Sequence, residues 1–215
     1  MKVLALESAT LVGSVALLDG ESATEKILDV SLHHSEKLLP AIISLLEETG
    51  NSLQQIDLLA CDAGPGSFTG LRVGLALMKG LAYGNKKPLL TVSSLEVLAM
   101  NATSPSSIVP MINAYRGEIY TAVYQDGKQV VEEQVIGPEA FLKSLEKSPS
   151  GLCFLGDGAL HYRSLIETVM GDKASFGDDP VIHAAHLGRI ALKRFQQGEN
   201  PSLFELAPRY LRAGV

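Results

Sequence analysis

The 215-residue chain is short of positive charge: 18 Lys and Arg stand against 24 Asp and Glu, giving a formal net charge of -6 and a pI near 5.4. Its longest basic runs are the pairs Lys86-Lys87 and Lys193-Arg194. Phosphate binding depends on clustered Lys and Arg, so the charge argues against a chain that grips nucleic acid unaided. If RNA is involved, another subunit holds it. Cysteine is also scarce. Cys61 and Cys153 are the only two, both lie in apolar runs read as strands, and there a free cysteine behaves as a small buried apolar group suited to a reducing cytosol. No stretch of 18 apolar residues occurs, and Met1 to Leu6 meets Glu7 far short of a signal segment. These absences predict a soluble, cytoplasmic protein with no membrane partner. A disorder signature is missing too, since 46% of the residues are hydrophobic, enough to bury a core in one large domain or two small ones.

Glycine is what the chain does have, and it is concentrated. The apolar run Ile56 to Ala63 reads as a buried strand, and Gly64-Pro65-Gly66-Ser67-Phe68-Thr69-Gly70 then reads as a strand-to-helix elbow opening a helix from Leu71 to Tyr83. Such an elbow offers backbone angles closed to other residues, and the first N–H groups of its helix form a natural anion seat. The spacing fits neither nucleotide fingerprint: no Lys-Ser/Thr pair closes a P-loop, and the last interval is one residue too long for G-x-G-x-x-G. Gly70, Gly74, Gly80 and Gly84 lie in or beside the helix, and each interior glycine costs about 1 kcal/mol relative to alanine. Something must compensate. Leu71, Leu75, Met78 and Ala82 form one apolar stripe and Val73, Leu77 and Leu81 another, so the helix either lies inside its own domain or shares a stripe with a partner.

Taken in order, Lys2 to Leu6, Gly13 to Leu18 and Thr24 to Val30 read as an antiparallel meander, followed by a helix over His34 to Thr49 with Pro40 predicting a kink or a late start. After the glycine helix come a strand at Pro88 to Val92 and a helix from the capping-box pair Ser93 and Glu96 to Met100. The turn-rich run Thr103 to Ser107 is the predicted boundary, dividing the chain into 1–103 and 104–215. Beyond it the pattern restarts. Three strands (Ile108 to Ile112, Ile119 to Tyr124, Lys128 to Ile136) precede a helix from Pro138 to about Lys147, a strand at Leu152 to Leu155, and a helix through Gly156-Asp157-Gly158 to Met170. A last helix covers His183 to Gln197, and Gly198 to Val215 is a tail. The order strand, strand, strand, helix, strand, helix thus occurs twice, which predicts an α/β fold of two similar halves, each a mixed sheet with flanking helices.

The string Gly64 to Gly74 (GPGSFTGLRVG) resembles the signature of the TsaB family, also called YeaZ, bacterial proteins of the system that installs threonylcarbamoyladenosine in tRNA. His34-Ser35-Glu36-Lys37-Leu38-Leu39-Pro40, Arg116-Gly117-Glu118-Ile119-Tyr120 and Pro208-Arg209-Tyr210-Leu211-Arg212 resemble further blocks of that family in the expected order. The resemblance implies the duplicated ribonuclease-H-like architecture of the actin, Hsp70 and sugar-kinase superfamily. It also implies a subunit that binds the catalytic relative TsaD, is joined by the ATPase TsaE, forms a homodimer when alone, and meets tRNA only through the complex. Members of the superfamily that process ATP end the first strand of each half in an acidic residue for Mg²⁺, beside glycine-rich hairpins that admit phosphates. Here those strand ends are Glu7 and Asn113, where the family usually shows Asp. The hairpins are Ser8 to Gly13, with one glycine, and Ala114-Tyr115-Arg116-Gly117, with a tyrosine and an arginine where phosphates would approach.

One carboxylate is therefore missing, and no catalytic residue, cofactor or metal ligand is assigned. His183 and His186 are three apart on a predicted helix without a carboxylate in that turn, and with adjacent His33 and His34 and isolated His161 they read as structural. No Ser-His-Asp order stands out and the elbow is not G-x-S-x-G. The alternative is a small ATPase or small-molecule kinase of the same superfamily using Glu7 and Asp157. For the partner interface the expectation is Leu71, Leu75 and Met78, flanked by Arg72 and Lys79, beside Leu38, Ile42 and Leu45 of the preceding helix, paired across a two-fold axis.

Overall fold

The computed structural model describes residues 1–30, 34–103, 107–146, 148 and 151–212. His33, the Ser104-Pro105-Ser106 core of the predicted boundary, and Lys147 lie outside the described residues, as does the His34 side chain. The meander forms as β1 (Lys2–Glu7), β2 (Val12–Asp19) and β3 (Ser22–Asp29), followed by α1 (His34–Glu48), which runs through Pro40. Next come β4 (Leu58–Gly64), α2 (Phe68–Asn85), β5 (Leu89–Ser93) and α3 (Ser94–Ala99). The five strands make one sheet in the order β3-β2-β1-β4-β5, antiparallel among the first three and parallel from β1 to β5. Both faces of β1 are covered. Leu4 and Leu6 join Leu38, Ile42, Leu45, Leu75 and Met78 of α1 and α2 in one core, whereas Ala5 points the other way, as the two-residue period of a strand requires. This is why β1 and β4 read as unbroken apolar runs rather than alternating ones.

The second sheet repeats the first. Its elements are β6 (Ser107–Tyr115), β7 (Glu118–Gln125), β8 (Lys128–Ile136), α4 (Pro138–Leu145), β9 (Leu152–Leu155), α5 (Asp157–His161), α6 (Arg163–Met170) and β10 (Ala174–Phe176). The order β8-β7-β6-β9-β10 is that of the first sheet, with the same senses of pairing. The duplicated ribonuclease-H-like architecture is therefore present. Its core is Val109, Met111, Ile119, Phe141, Leu142, Phe154 and Ile166. Two details differ from the expectation: the helix to Met170 is broken at Tyr162, and β10, three residues long, gave no pattern to detect.

The chain then returns to the first unit as α7 (Ala184–Gln196). The two units are Met1–Val97 with Ile182–Arg209, and Leu98–Val181 with Tyr210–Val215, so assigning all of 104–215 to one half is corrected. The reason is local and specific. Ser14 on β2 is buried and accepts a hydrogen bond from Ala184 N at 2.8 Å while donating to Ile182 O at 3.0 Å. Glu25 on β3 accepts from Ala185 N at 3.1 Å, satisfying a further N–H of the first helical turn. Gly188 lies so close to the sheet that a Cβ there would stand 2.6 Å from Leu18 and 3.3 Å from Ala5. No described helix is long and apolar enough to cross a membrane.

Candidate functional site

The ends of β1 and β4 carry the acidic chemistry of the first unit. Leu6 pairs with Cys61, which sets the next residues, Glu7 and Asp62, side by side on parallel strands. Both are buried, together with Ser8 and Ala9. Glu7 Oε1 accepts from Ala9 N at 2.6 Å, and Asp62 Oδ1 accepts from Ser8 N at 3.0 Å and from the Ser8 hydroxyl at 3.3 Å. Burial raises the Asp62 pKa from 3.8 to about 7, against the opposing hydrogen bonds of Ser8 and its own backbone N–H. One oxygen of each carboxylate thus serves neighbouring backbone. Sequence reasoning missed Asp62, although a lone acid inside the apolar run Ile56 to Ala63 was a usable signal.

The glycine elbow closes over this cluster. Ser67 N donates to Ala9 O at 2.6 Å, and a Cβ on Gly66 would stand 2.4 Å from the same oxygen. A Cβ on Gly74 would stand 2.1 Å from Ser8 Oγ. Gly66 and Gly74 therefore exist so that the elbow and α2 can lie against the β1–β2 hairpin. The anion seat is partly taken as well: Ser67 Oγ caps Gly70 N at 3.2 Å and Ser67 O accepts from Leu71 N at 2.9 Å.

The second unit repeats the hydrogen bonding without the acid. Asn113 Oδ1 accepts from Tyr115 N at 2.9 Å, as Glu7 accepts from Ala9, and Asn113 N donates to Asp157 Oδ1 at 3.0 Å. Burial raises the Asp157 pKa, opposed first by the hydrogen bond from Asn113. The hairpin that follows bends through Tyr115, Arg116 and Gly117, all at positive φ (56°, 57° and 79°), beside a bulge between Asn113 and Tyr115. For the two non-glycine residues this conformation costs roughly 1–2 kcal/mol each. Arg212 braces it, donating to Ala114 O at 3.1 Å and to the Glu118 carboxylate. Two sequence blocks singled out separately, around Arg116 and around Arg212, meet here.

The expected partner stripe is corrected by burial. Leu38, Ile42, Leu45, Leu71, Leu75 and Met78 are each at most 4% exposed and fill the core of their own unit, and Lys79 is half-buried, donating to Leu206 O at 3.0 Å. Only Arg72 of the eight is exposed, its guanidinium 3.7 Å from the Phe68 ring centroid. The helices instead expose Leu39 and Ile43 on α1 and Ala76, Gly80 and Gly84 on α2. A Cβ on Gly80 or Gly84 would meet nothing within 4 Å, so these two glycines have no packing role in the unit. The histidine at 183 precedes α7 and pairs with Glu25 at 2.8 Å, a carboxylate 158 residues away that the local sequence could not supply.

Comparison with known proteins gives four findings. The family described as "TsaD: tRNA N6-adenosine threonylcarbamoyltransferase" matches residues 28–177. The tRNA threonylcarbamoyladenosine biosynthesis protein TsaB of Bacillus subtilis (strain 168) is 32% identical over 220 residues, covering 99% of this chain and 94% of that one. Among solved structures, a Pseudomonas aeruginosa protein described as similar to peptidase YEAZ superposes with a TM-score of 0.84 at 29% identity, covering 98% of this chain and 99% of that one. The activator of 2-hydroxyisocaproyl-CoA dehydratase from Clostridium difficile, with bound ADPNP, shares the fold alone: TM-score 0.56, 9% identity, 94% and 100% coverage.

Proposed function

The chain belongs to the TsaB (YeaZ) family of tRNA threonylcarbamoyladenosine biosynthesis proteins, and from that premise we propose that it is the non-catalytic subunit of the modification complex. The supporting observation is the closed acidic cluster: Glu7, Ser8, Ala9 and Asp62 are at most 1% exposed and bond to one another, beneath an elbow that leaves no room for a Cβ at Gly66. Carboxylates closed off from water in this way do not hold a solvated metal shell. At the matching strand end of the second unit the residue is Asn113. The chain's contribution is a surface offered to the catalytic TsaD-type subunit, with a TsaE-type ATPase joining and tRNA reached only through the complex. That surface is the outward face of α1 and α2 around Leu39, Ile43, Ala76 and Gly80, and alone it pairs with a second copy of the chain. Glycine and alanine there let another helix approach closely, and flanking apolar side chains are available for burial.

Reconstitution tests this directly. The TsaD-type subunit of the same organism, with the TsaE-type ATPase and a threonylcarbamoyl donor, should modify tRNA only when this chain is present. The chain alone with Mg²⁺-ATP should turn over no faster than its Glu7→Gln variant. Turnover that vanishes in Glu7→Gln would instead establish the kinase or ATPase alternative.

A further inference from the structure

The chain solves one hairpin cheaply and a similar one expensively. Between β7 and β8 the positive-φ positions are Asp126 and Gly127 (51° and 71°), a pair that a tight hairpin accepts readily. Between β6 and β7 the positions are Tyr115, Arg116 and Gly117, and the first two are residue types that resist the left-handed region. A sequence that breaks a local rule without a gain in packing points to use of the side chains. No such gain is present. Tyr115 is 58% exposed, and Arg116 is exposed with no ion pair among the described residues. The surroundings nevertheless hold the tip firmly. Asn113 fixes the Tyr115 N–H, and Arg212 spends its guanidinium on Ala114 O and Glu118. Arg212, from the C-terminal segment, is committed to support, and Arg116 of the hairpin itself is presented.

We infer that the Tyr115–Arg116 tip is a contact surface for an acidic segment of a protein partner: the guanidinium takes a carboxylate through two parallel hydrogen bonds, and the tyrosine ring packs on the apolar atoms beside it. Tyrosine and arginine are the residue types that concentrate binding energy in protein interfaces. Nucleic acid is the poorer match, because among the described residues the tip offers one free cation, with Glu118 and Asp157 on the segments that brace it, in a chain of net charge -6. The inference rests on the partnership proposed above and assigns it a further point of contact, on the second unit.

The test measures affinity for the purified TsaD-type subunit of the same organism, using the full chain with Arg116→Asn and Tyr115→Asn. Asparagine is at ease at positive φ, so both variants should melt no lower than wild type. Their affinity for the partner should fall about tenfold or more, with Arg116→Lys falling between because lysine keeps charge but not the two-pronged geometry. Unchanged affinity in both asparagine variants overturns the inference, and so does a lowered melting temperature, which would show that the two side chains serve the fold. A loss of tRNA affinity without a loss of protein affinity also overturns it, in favour of an RNA contact. Failure of the wild-type chain to bind the subunit would count against the parent partnership, a result distinct from all of these.

Discussion

Gly74 on α2 and Ser8 at the end of β1 are in such close contact that a single methyl group does not fit between them: a Cβ at 74 would stand 2.1 Å from the serine Oγ. The Ser8 Oγ cannot swing aside without losing its bond to Asp62. Gly74→Ala should therefore destabilise the protein by about 1–3 kcal/mol, the usual range for overpacking. Gly80→Ala, on the open side of the same helix, should instead stabilise it by roughly 0.5–1 kcal/mol, since glycine in a helix interior carries that entropic cost. Urea denaturation of the two variants checks the contrast; equal shifts would mean that the helix does not lie against the hairpin as described.

Ser14 makes a second long-range contact testable. Its hydroxyl serves Ala184 N and Ile182 O, 170 and 168 residues away, at a buried site. Ser14→Ala leaves both backbone groups without that partner, which should cost about 1–3 kcal/mol. Hydrogen exchange should show the loss concentrated in α7, because the anchor is at its N-terminus. Protection lost uniformly over the sheet and α7 would refute that local reading.

How far the fold was legible follows from cases like these. Local signals were sufficient where an element is long or punctuated: the Asp126-Gly127 turn, the apolar run of β4 and the glycine elbow each declared themselves, and their repetition gave the duplicated topology. The return of α7 to the first unit was not legible, because it depends on Ser14 and Glu25, ordinary residues in separate strands that acquire meaning only when the sheet forms. The partner stripe failed for a related reason. Leu71, Leu75 and Met78 are correctly an apolar stripe, but periodicity gives only a face and never says which body covers it. Burial answers that: Leu71, Leu75 and Met78 face inward, and Ala76 and Gly80 outward. Likewise Glu96, predicted to close a capping box, donates its backbone N–H to Ser93 Oγ at 3.4 Å, while its carboxylate accepts from Arg194 at 2.5 Å.

Asp62 gives the protein a defined pH response. Its folded pKa of about 7 lies above the ordinary 3.8 because burial penalises the charged form. Between those values the folded state holds a proton that the unfolded state has released, so this group's contribution to stability is present in full below about pH 4. It declines as pH rises towards 7 and is lost above it. Asp62→Asn reproduces the shape of the neutral acid and does not titrate. Its stability should run flatter than wild type between pH 4 and 7, measured by denaturant midpoints across that range. Parallel curves for the two proteins would show that Asp62 titrates normally.

The two faces of α2 give the decisive experiment on association. Leu75, 4% exposed, packs with Leu4, Leu6 and Leu45, so Leu75→Glu places an unpaired charge in the core, at a cost of several kcal/mol, and should unfold the first unit. Met78→Glu should do the same. Ala76 is one position on and faces outward, where a glutamate is solvated in the free chain. If the outward face of α1 and α2 is where partners dock, Ala76→Glu and Ile43→Glu should keep wild-type circular dichroism and melting temperature. Both should weaken binding to the TsaD-type subunit by tenfold or more, since a charge at the centre of a desolvated patch loses its water without gaining a partner. Light scattering of the variants without the partner reads the homodimer by the same logic. A folded Ala76→Glu chain that dimerises and binds the catalytic subunit as wild type does would remove this face from the interface and leave the small residues of α2 without an explanation.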